Sequence, residues 1–224
     1  MAVAPSRITL RDFIMLHQDH LSDCMKLLHH DFVHIINVCH NGQKRLTGED
    51  YEEHLYSAYH ILRTLGFPFL IQIGGLGHDL FENTPINYED LSKMLGDRYR
   101  KDPSFDARPL ADLIRAVTKY NAETYFEQMK YSVVSLGIWG TIPLKFSDRL
   151  HNLATVDGFT DIDRRINFCK ETLGPLDDLY RNCRRYLPTQ YLSACDELYE
   201  SVMALATTKL EESKAAKNLT LALV

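Results

Sequence analysis

Gly77-His78-Asp79-Leu80-Phe81-Glu82-Asn83-Thr84 closes an apolar run that begins at Phe69, and Lys145-Phe146-Ser147-Asp148-Arg149-Leu150-His151-Asn152 answers it far downstream. The first stretch puts an imidazole and a carboxylate on adjacent residues, with a second carboxylate one helical turn later. The second adds an isolated Asp flanked by basic residues and an amide. Charges at the end of an apolar helix need partners, because an unpaired buried carboxylate is costly; a bound cation is one such partner. A His-Asp dipeptide alone is more often a hydrogen-bonded helix end than a metal site. His54 upstream and Asp148 downstream tip the balance to metal binding.

Outward from these stretches, apolar residues recur at three- and four-residue spacing and alternating runs are scarce, so an all-α helical bundle is expected. The apolar segment reads as one helix from Phe69 to Phe81, with Gly74-Gly75 allowing close helix packing. Thr47 is the expected N-cap of the helix before it, with Asp50 as capping-box partner; that helix carries His54 inward and ends at Gly66 and Pro68. Further upstream, Leu10 to His30 reads as one or two helices and Asp31 to Cys39 as another. Downstream, Asn87 caps a helix over Tyr88 to Tyr99, and helices follow over Ala107 to Tyr120 and Ala122 to Leu136. Pro143 suits the first turn of the helix that holds Lys145, Asp148, Asn152 and Thr155 on one stripe. Asp161 to Thr172, Pro175 to Tyr186 and Pro188 to Ser213 complete the bundle. With no repeat or linker in view, residues 1–213 read as one domain and residues 214–224 as a frayed or disordered tail.

The chain has 224 residues, 45% apolar and 25% charged, with a net charge of −5. That size suits one buried core, and the charge argues against a nucleic-acid binder held by a general positive field. The start lacks a signal-peptide pattern, and no apolar run is long enough to span a bilayer. Five scattered cysteines without a Cys-x-x-Cys pair read as reduced thiols, which together point to a cytoplasmic protein without a membrane partner. The sequence leaves the oligomeric state open.

His54, His78, Asp79 and Asp148 form a mixed nitrogen and oxygen set without thiolates, unlike a cysteine-rich structural zinc site. Such sets suit Mn²⁺, Fe²⁺ or Zn²⁺ with positions left for water and substrate. A divalent ion there would acidify water and neutralise phosphoryl oxygens, so hydrolysis of a phosphate ester is expected. Glu82, four residues after His78 on the same helix face, reaches the groups behind the ligands or the attacking water.

The order His54, His78-Asp79, Asp148 resembles the metal signature of the HD-domain phosphohydrolases. More closely, His40-x-Gly42-Gln43-x-Arg45-x-x-Gly48-x-x-Tyr51-x-x-His54, His78-Asp79-x-x-Glu82-x-Thr84, Val117-Thr118-Lys119 and Lys145-x-x-Asp148-Arg149-Leu150-His151-Asn152-x-x-Thr155 resemble the hydrolase domain of the RelA/SpoT homologues. By length the chain looks like a stand-alone small alarmone hydrolase without room for a synthetase domain. The similarity spans roughly Phe32 to Leu176. It implies a manganese-dependent enzyme that removes the 3′-pyrophosphate from ppGpp and pppGpp, leaving GDP or GTP. Carried over, His54, His78, Asp79 and Asp148 would hold Mn²⁺ or another divalent metal, and Glu82 would help activate water. Arg45 would stack on guanine. Thr47, Asn152 and Thr155 would line the nucleoside pocket, with Lys145 on the phosphate side.

Two positions depart from the family pattern. Asn83 stands where the family has a second acid, and an amide cannot carry charge or act as a base. Leu46 stands where a basic residue commonly follows the equivalent of Arg45. The alternatives are therefore hydrolysis of an adenosine alarmone, NADPH or another nucleotide, or an alarmone sensor silenced through Asn83. Beside these, Lys145 and Arg149 are equally well explained by pairing with neighbouring acids, His151 reads as structural, His30 and His34 read as unrelated imidazoles, and the residues around Tyr125 read as core.

Overall fold

The computed structural model describes residues 23–100, 106 and 108–222. Among these the chain is all α-helical, with one isolated antiparallel bridge between Lys44 and Asp50. Helix α1 spans Asp23–Cys39, α2 Tyr51–Thr64, α3 Phe69–Gly77, and α4 is a single turn, Leu80–Asn83. Then come α5 Tyr88–Tyr99, α6 Arg108–Val117, α7 Tyr125–Val134 and α8 Thr141–Ala154. The last three are α9 Ile162–Glu171, α10 Asp177–Cys183 and α11 Thr189–Ala222.

Helix α1 runs unbroken through His30 and Asp31, because nothing there resists a helix and Leu28, Phe32 and Ile36 form one buried stripe. The remainder of the expected helix over Leu10 to His30 lies outside the described residues.

Thr47 does not cap α2. The stretch from Gln43 to Tyr51 closes into a tight hairpin: Gly48 N–H donates to Arg45 O at 2.9 Å, and Tyr51 N–H donates to Gln43 O at 3.2 Å. Gly48 takes a left-handed φ of +89°, a conformation that favours glycine. The hairpin uses up the residues expected to begin the helix, and Asp50 pairs with Lys44 at 2.6 Å instead of capping. Elsewhere the sequence signals hold: Asn87 and Asp90 form the reciprocal capping box of α5, and Pro143 sits in the first turn of α8.

The expected helix over Phe69 to Phe81 is broken at His78 and Asp79. His78 Nδ1 turns back to the Gly75 carbonyl at 2.9 Å, and Asp79 is drawn to the Tyr51 hydroxyl. The small residues of α3 allow the close packing expected of them. A Cβ on Gly75 would lie 2.9 Å from the backbone N and Cα of Tyr59 on α2. Between α9 and α10 the chain passes through a widened π turn, Thr172–Leu176, which contains Pro175 and keeps the two segments nearly continuous.

Helix α11 continues past Ser213, where the sequence suggested a tail. Ser213 is buried, and Lys217 pairs with Asp163 of α9. These side-chain contacts supply what helix propensity alone does not.

Two hydrophobic clusters support the site. One gathers α1 through α6 around Phe32, Tyr59 and Leu76. The other gathers α7 through α11 with parts of α2, α3 and α6 around Phe146, Tyr180 and Leu198. Helices α2, α3 and α8 meet at the seam between them, which brings His54, His78 and Asp148 together.

Candidate active site

His54 projects from α2, His78 from the break after α3, and Asp148 from the middle of α8; all three are buried. His54 Nε2 lies 3.1 Å from His78 Nε2 and 3.3 Å from Asp148 Oδ1, and His78 Nε2 lies 3.6 Å from that oxygen. Two ligand atoms each about 2.1 Å from one ion, at tetrahedral or octahedral angles, stand roughly 3.0–3.4 Å apart. Two edges of the triangle fall in that range and the third, at 3.6 Å, is slightly longer, so these three residues could hold one metal ion. Asp79 stands at its rim, with Oδ1 3.5 Å from His78 Nε2 and Oδ2 3.8 Å from His54 Nε2.

The proton pattern agrees. His78 donates Nδ1–H to the Gly75 carbonyl, which leaves Nε2 as the ligating atom. His54 Nδ1 is 2.9 Å from His151 Nδ1, and that same nitrogen is 3.3 Å from the Arg45 guanidinium. A guanidinium only donates, so His151 Nδ1 accepts and His54 Nδ1 carries the proton. The His54 lone pair then points from Nε2 into the triangle. Two imidazole lone pairs at such separation require a proton or a cation between them.

The electrostatics show how strongly. Burial alone lowers the His78 pKa, but the Asp79 and Asp148 carboxylates outweigh it and push it up to about 9. His54 moves the other way, because burial and the neighbouring His78 charge prevail over Asp148. Burial opposes ionisation of Asp148, yet the Lys145 ammonium at 2.6 Å and the two imidazoles hold its carboxyl well below the usual range. His151 falls to about 3 through burial and the charges of His54 and Arg45, so it stays neutral.

The triangle lines a pocket whose other walls include Arg45, Tyr51, Asp79, Glu82, Asn83 and Lys119. Tyr125, Lys145, Arg149, Asn152, Phe168 and Glu171 complete its lining. Glu82 is exposed overall, but its carboxyl end faces this pocket and accepts the Lys119 N–H. Partial burial, and then the Asp79 charge, raises its pKa. Lys119 and Lys145 both place their ammonium groups over the Tyr125 ring, at 5.6 and 5.2 Å from its centroid.

No family model matches the chain. The bifunctional (p)ppGpp synthase/hydrolase SpoT of Escherichia coli is 27% identical over 145 residues, 60% of this chain and 18% of that protein. The guanosine-3′,5′-bis(diphosphate) 3′-pyrophosphohydrolase of Aquifex aeolicus is 32% identical over 139 residues, again 60% and 18%. The chain is thus similar to RelA/SpoT-type hydrolases over about 60% of its length. A probable enzyme of the same name from Synechocystis is 28% identical over 147 residues, 61% of this chain and 18% of that protein. The matched region thus spans less than a fifth of the length of these RelA/SpoT-type relatives.

Of the residues expected at the site, His54, His78, Asp79, Glu82, Asn83, Arg45, Lys145, Asp148 and Asn152 all line the pocket. Thr47 and Thr155 are not among its lining residues. Thr47 packs on Gly158, where a Cβ would meet Thr47 Cβ at 2.7 Å, and Thr155 Oγ1 accepts from Arg45 at 3.2 Å. The Arg45 guanidinium is held by Glu49, Asn152, Thr155 and His151. Asn152 in turn donates to Asp148. His151, read from sequence as structural, packs directly behind His54. Tyr51 and Tyr125 also belong to the site. Tyr51 stands one helical turn before His54, a spacing that signals proximity to it. The Tyr125 ring gave no such signal, because it is core on one side and pocket wall on the other.

Proposed function

We propose that the protein hydrolyses the 3′-pyrophosphate of guanosine alarmones, converting ppGpp or pppGpp to GDP or GTP and pyrophosphate. The observation that carries this reading is the buried triangle of His54, His78 and Asp148 at the floor of a pocket walled by cations. The guanosine-3′,5′-bis(diphosphate) 3′-pyrophosphohydrolases among the protein's relatives add the substrate class. Mn²⁺, held by the triangle with Asp79 at its rim, would supply Lewis acidity toward phosphoryl oxygen and acidify water. Glu82, whose carboxyl faces the pocket and whose pKa is raised by burial and the Asp79 charge, would take up the proton of the attacking water. Lys119, Lys145 and Arg149 face the phosphates. Arg45 and Asn152 face the nucleoside, with Thr155 and Glu49 setting the plane of the guanidinium. Residues 1–213 act as one hydrolase domain in the cytoplasm, and nucleic acid is no part of the reaction.

The test is pyrophosphate release from ppGpp by purified protein, with Mn²⁺ and then with EDTA, beside a panel of adenosine alarmones, NADPH and other nucleotides. Metal-dependent release confined to guanosine 3′-pyrophosphates is the expected result. Release from another nucleotide alone overturns the substrate. Binding of ppGpp and metal without turnover makes the protein a sensor.

A further inference from the structure

Asn83 lines the pocket beside Glu82, and its side chain has a defined task. Its Nδ2 donates to the Tyr51 hydroxyl at 2.8 Å, and that hydroxyl lies 2.5 Å from Asp79 Oδ2. A phenol has one proton, and at that distance from a carboxylate the proton belongs to a charge-assisted bond with Asp79. Only the oxygen lone pairs then face residue 83, and only a donor completes the set. An amide donates; an ionised carboxylate in its place cannot.

The surroundings brace this arrangement. The buried His40 ring stacks on Tyr51 with centroids 4.7 Å apart and planes 5° from parallel. Gln43 receives His40 Nδ1 at 3.0 Å on its Oε1, and its Nε2 donates to the Asn83 carbonyl at 3.3 Å. The loop before α2 and the turn α4 are thereby tied together around one hydroxyl.

We propose that Asn83 is a positioning residue: it orients the Tyr51 hydroxyl, which holds Asp79 at the rim of the metal cluster. The inference rests on the metal reading above and changes what position 83 does within it. Asn83 acts on affinity for the ion and takes no proton from water.

The test is a double-mutant cycle on the full chain, read as Mn²⁺ affinity by titration calorimetry. Tyr51→Phe keeps the ring that stacks on His40 and removes the hydroxyl. It is expected to weaken binding by about 10- to 100-fold, the range for partners behind a ligand. Asn83→Ala is expected to weaken it by about 2- to 10-fold, as for loss of one neutral hydrogen bond. In the Tyr51→Phe background Asn83→Ala should add nothing, and Asn83→Gln, which keeps the donor, should recover part of the single-mutant loss. Asn83 is exposed, so its substitutions leave the fold in place. Additive losses, or Asn83→Ala with wild-type affinity and reduced turnover, overturn the inference while leaving the metal site standing. Wild-type protein that binds no divalent ion overturns the metal reading itself, and this inference with it.

Discussion

His54 and His78 face one another through their Nε2 atoms at 3.1 Å, each with its other ring nitrogen tied back into the protein. The pair is a receptor for positive charge, and Asp148 and Asp79 add two negative groups to it. His78→Ala or Asp148→Asn should therefore abolish measurable Mn²⁺ binding and alarmone hydrolysis together. Calorimetry and pyrophosphate release on the same preparation check this.

A proton and a metal ion compete for this receptor. With the His78 pKa raised to about 9, metal binding near neutral pH releases a proton. Apparent Mn²⁺ affinity should rise by up to about tenfold per pH unit between pH 7 and 9, then level off. Linkage gives the sign for stability. A folded-state pKa above the unfolded value of about 6.5 contributes stability that is complete below pH 6.5 and lost as pH rises through about 9. In EDTA the Tm should fall over that window, and saturating Mn²⁺ should flatten the fall.

Glu82→Gln removes a titratable carboxyl from the pocket but no member of the metal triangle. Mn²⁺ affinity should change little, while kcat falls by about 10²- to 10⁴-fold, as for loss of general acid–base help. Steady-state kinetics with ppGpp separate this from a loss of metal, which would weaken both.

Arg45 links the loop before α2 to α8 through Asn152, His151 and Thr155. Arg45→Ala should raise KM for the nucleotide and also weaken Mn²⁺ by about tenfold or more, because it frees the imidazole behind His54. Arg45→Lys should not restore either value, since a point charge cannot make the same set of directed bonds. Calorimetric Mn²⁺ titrations and substrate kinetics on both variants decide the matter.

Gly75→Ala puts a methyl group 2.9 Å from the α2 backbone at Tyr59. Backbone cannot move aside as a flexible side chain can, so α2 and α3 must separate. A loss of about 1–3 kcal/mol is expected, with weaker metal binding because those helices carry His54 and His78. Denaturant unfolding followed by circular dichroism measures the first effect.

The amino-acid sequence by itself determined the helical character of the chain, the Asn87 cap, the place of Pro143 and the residue types, two His and an Asp, of the buried triangle. Each of these follows from local chemistry: apolar spacing at three and four residues, a side-chain acceptor before a helix, a missing N–H where none is needed. His78 and Asp148 could be singled out because charged groups ending or interrupting an apolar face carry a cost that demands a partner. Tertiary structure alone decided which partners they met. His151 lies 97 positions from His54 in the chain, yet their Nδ1 atoms are 2.9 Å apart, and helical periodicity says nothing across such a gap. The break at His78 and Asp79 and the seating of Thr47 and Thr155 outside the pocket share that origin. In each, a contact between distant elements outweighed a local preference worth only a fraction of a kcal/mol per residue.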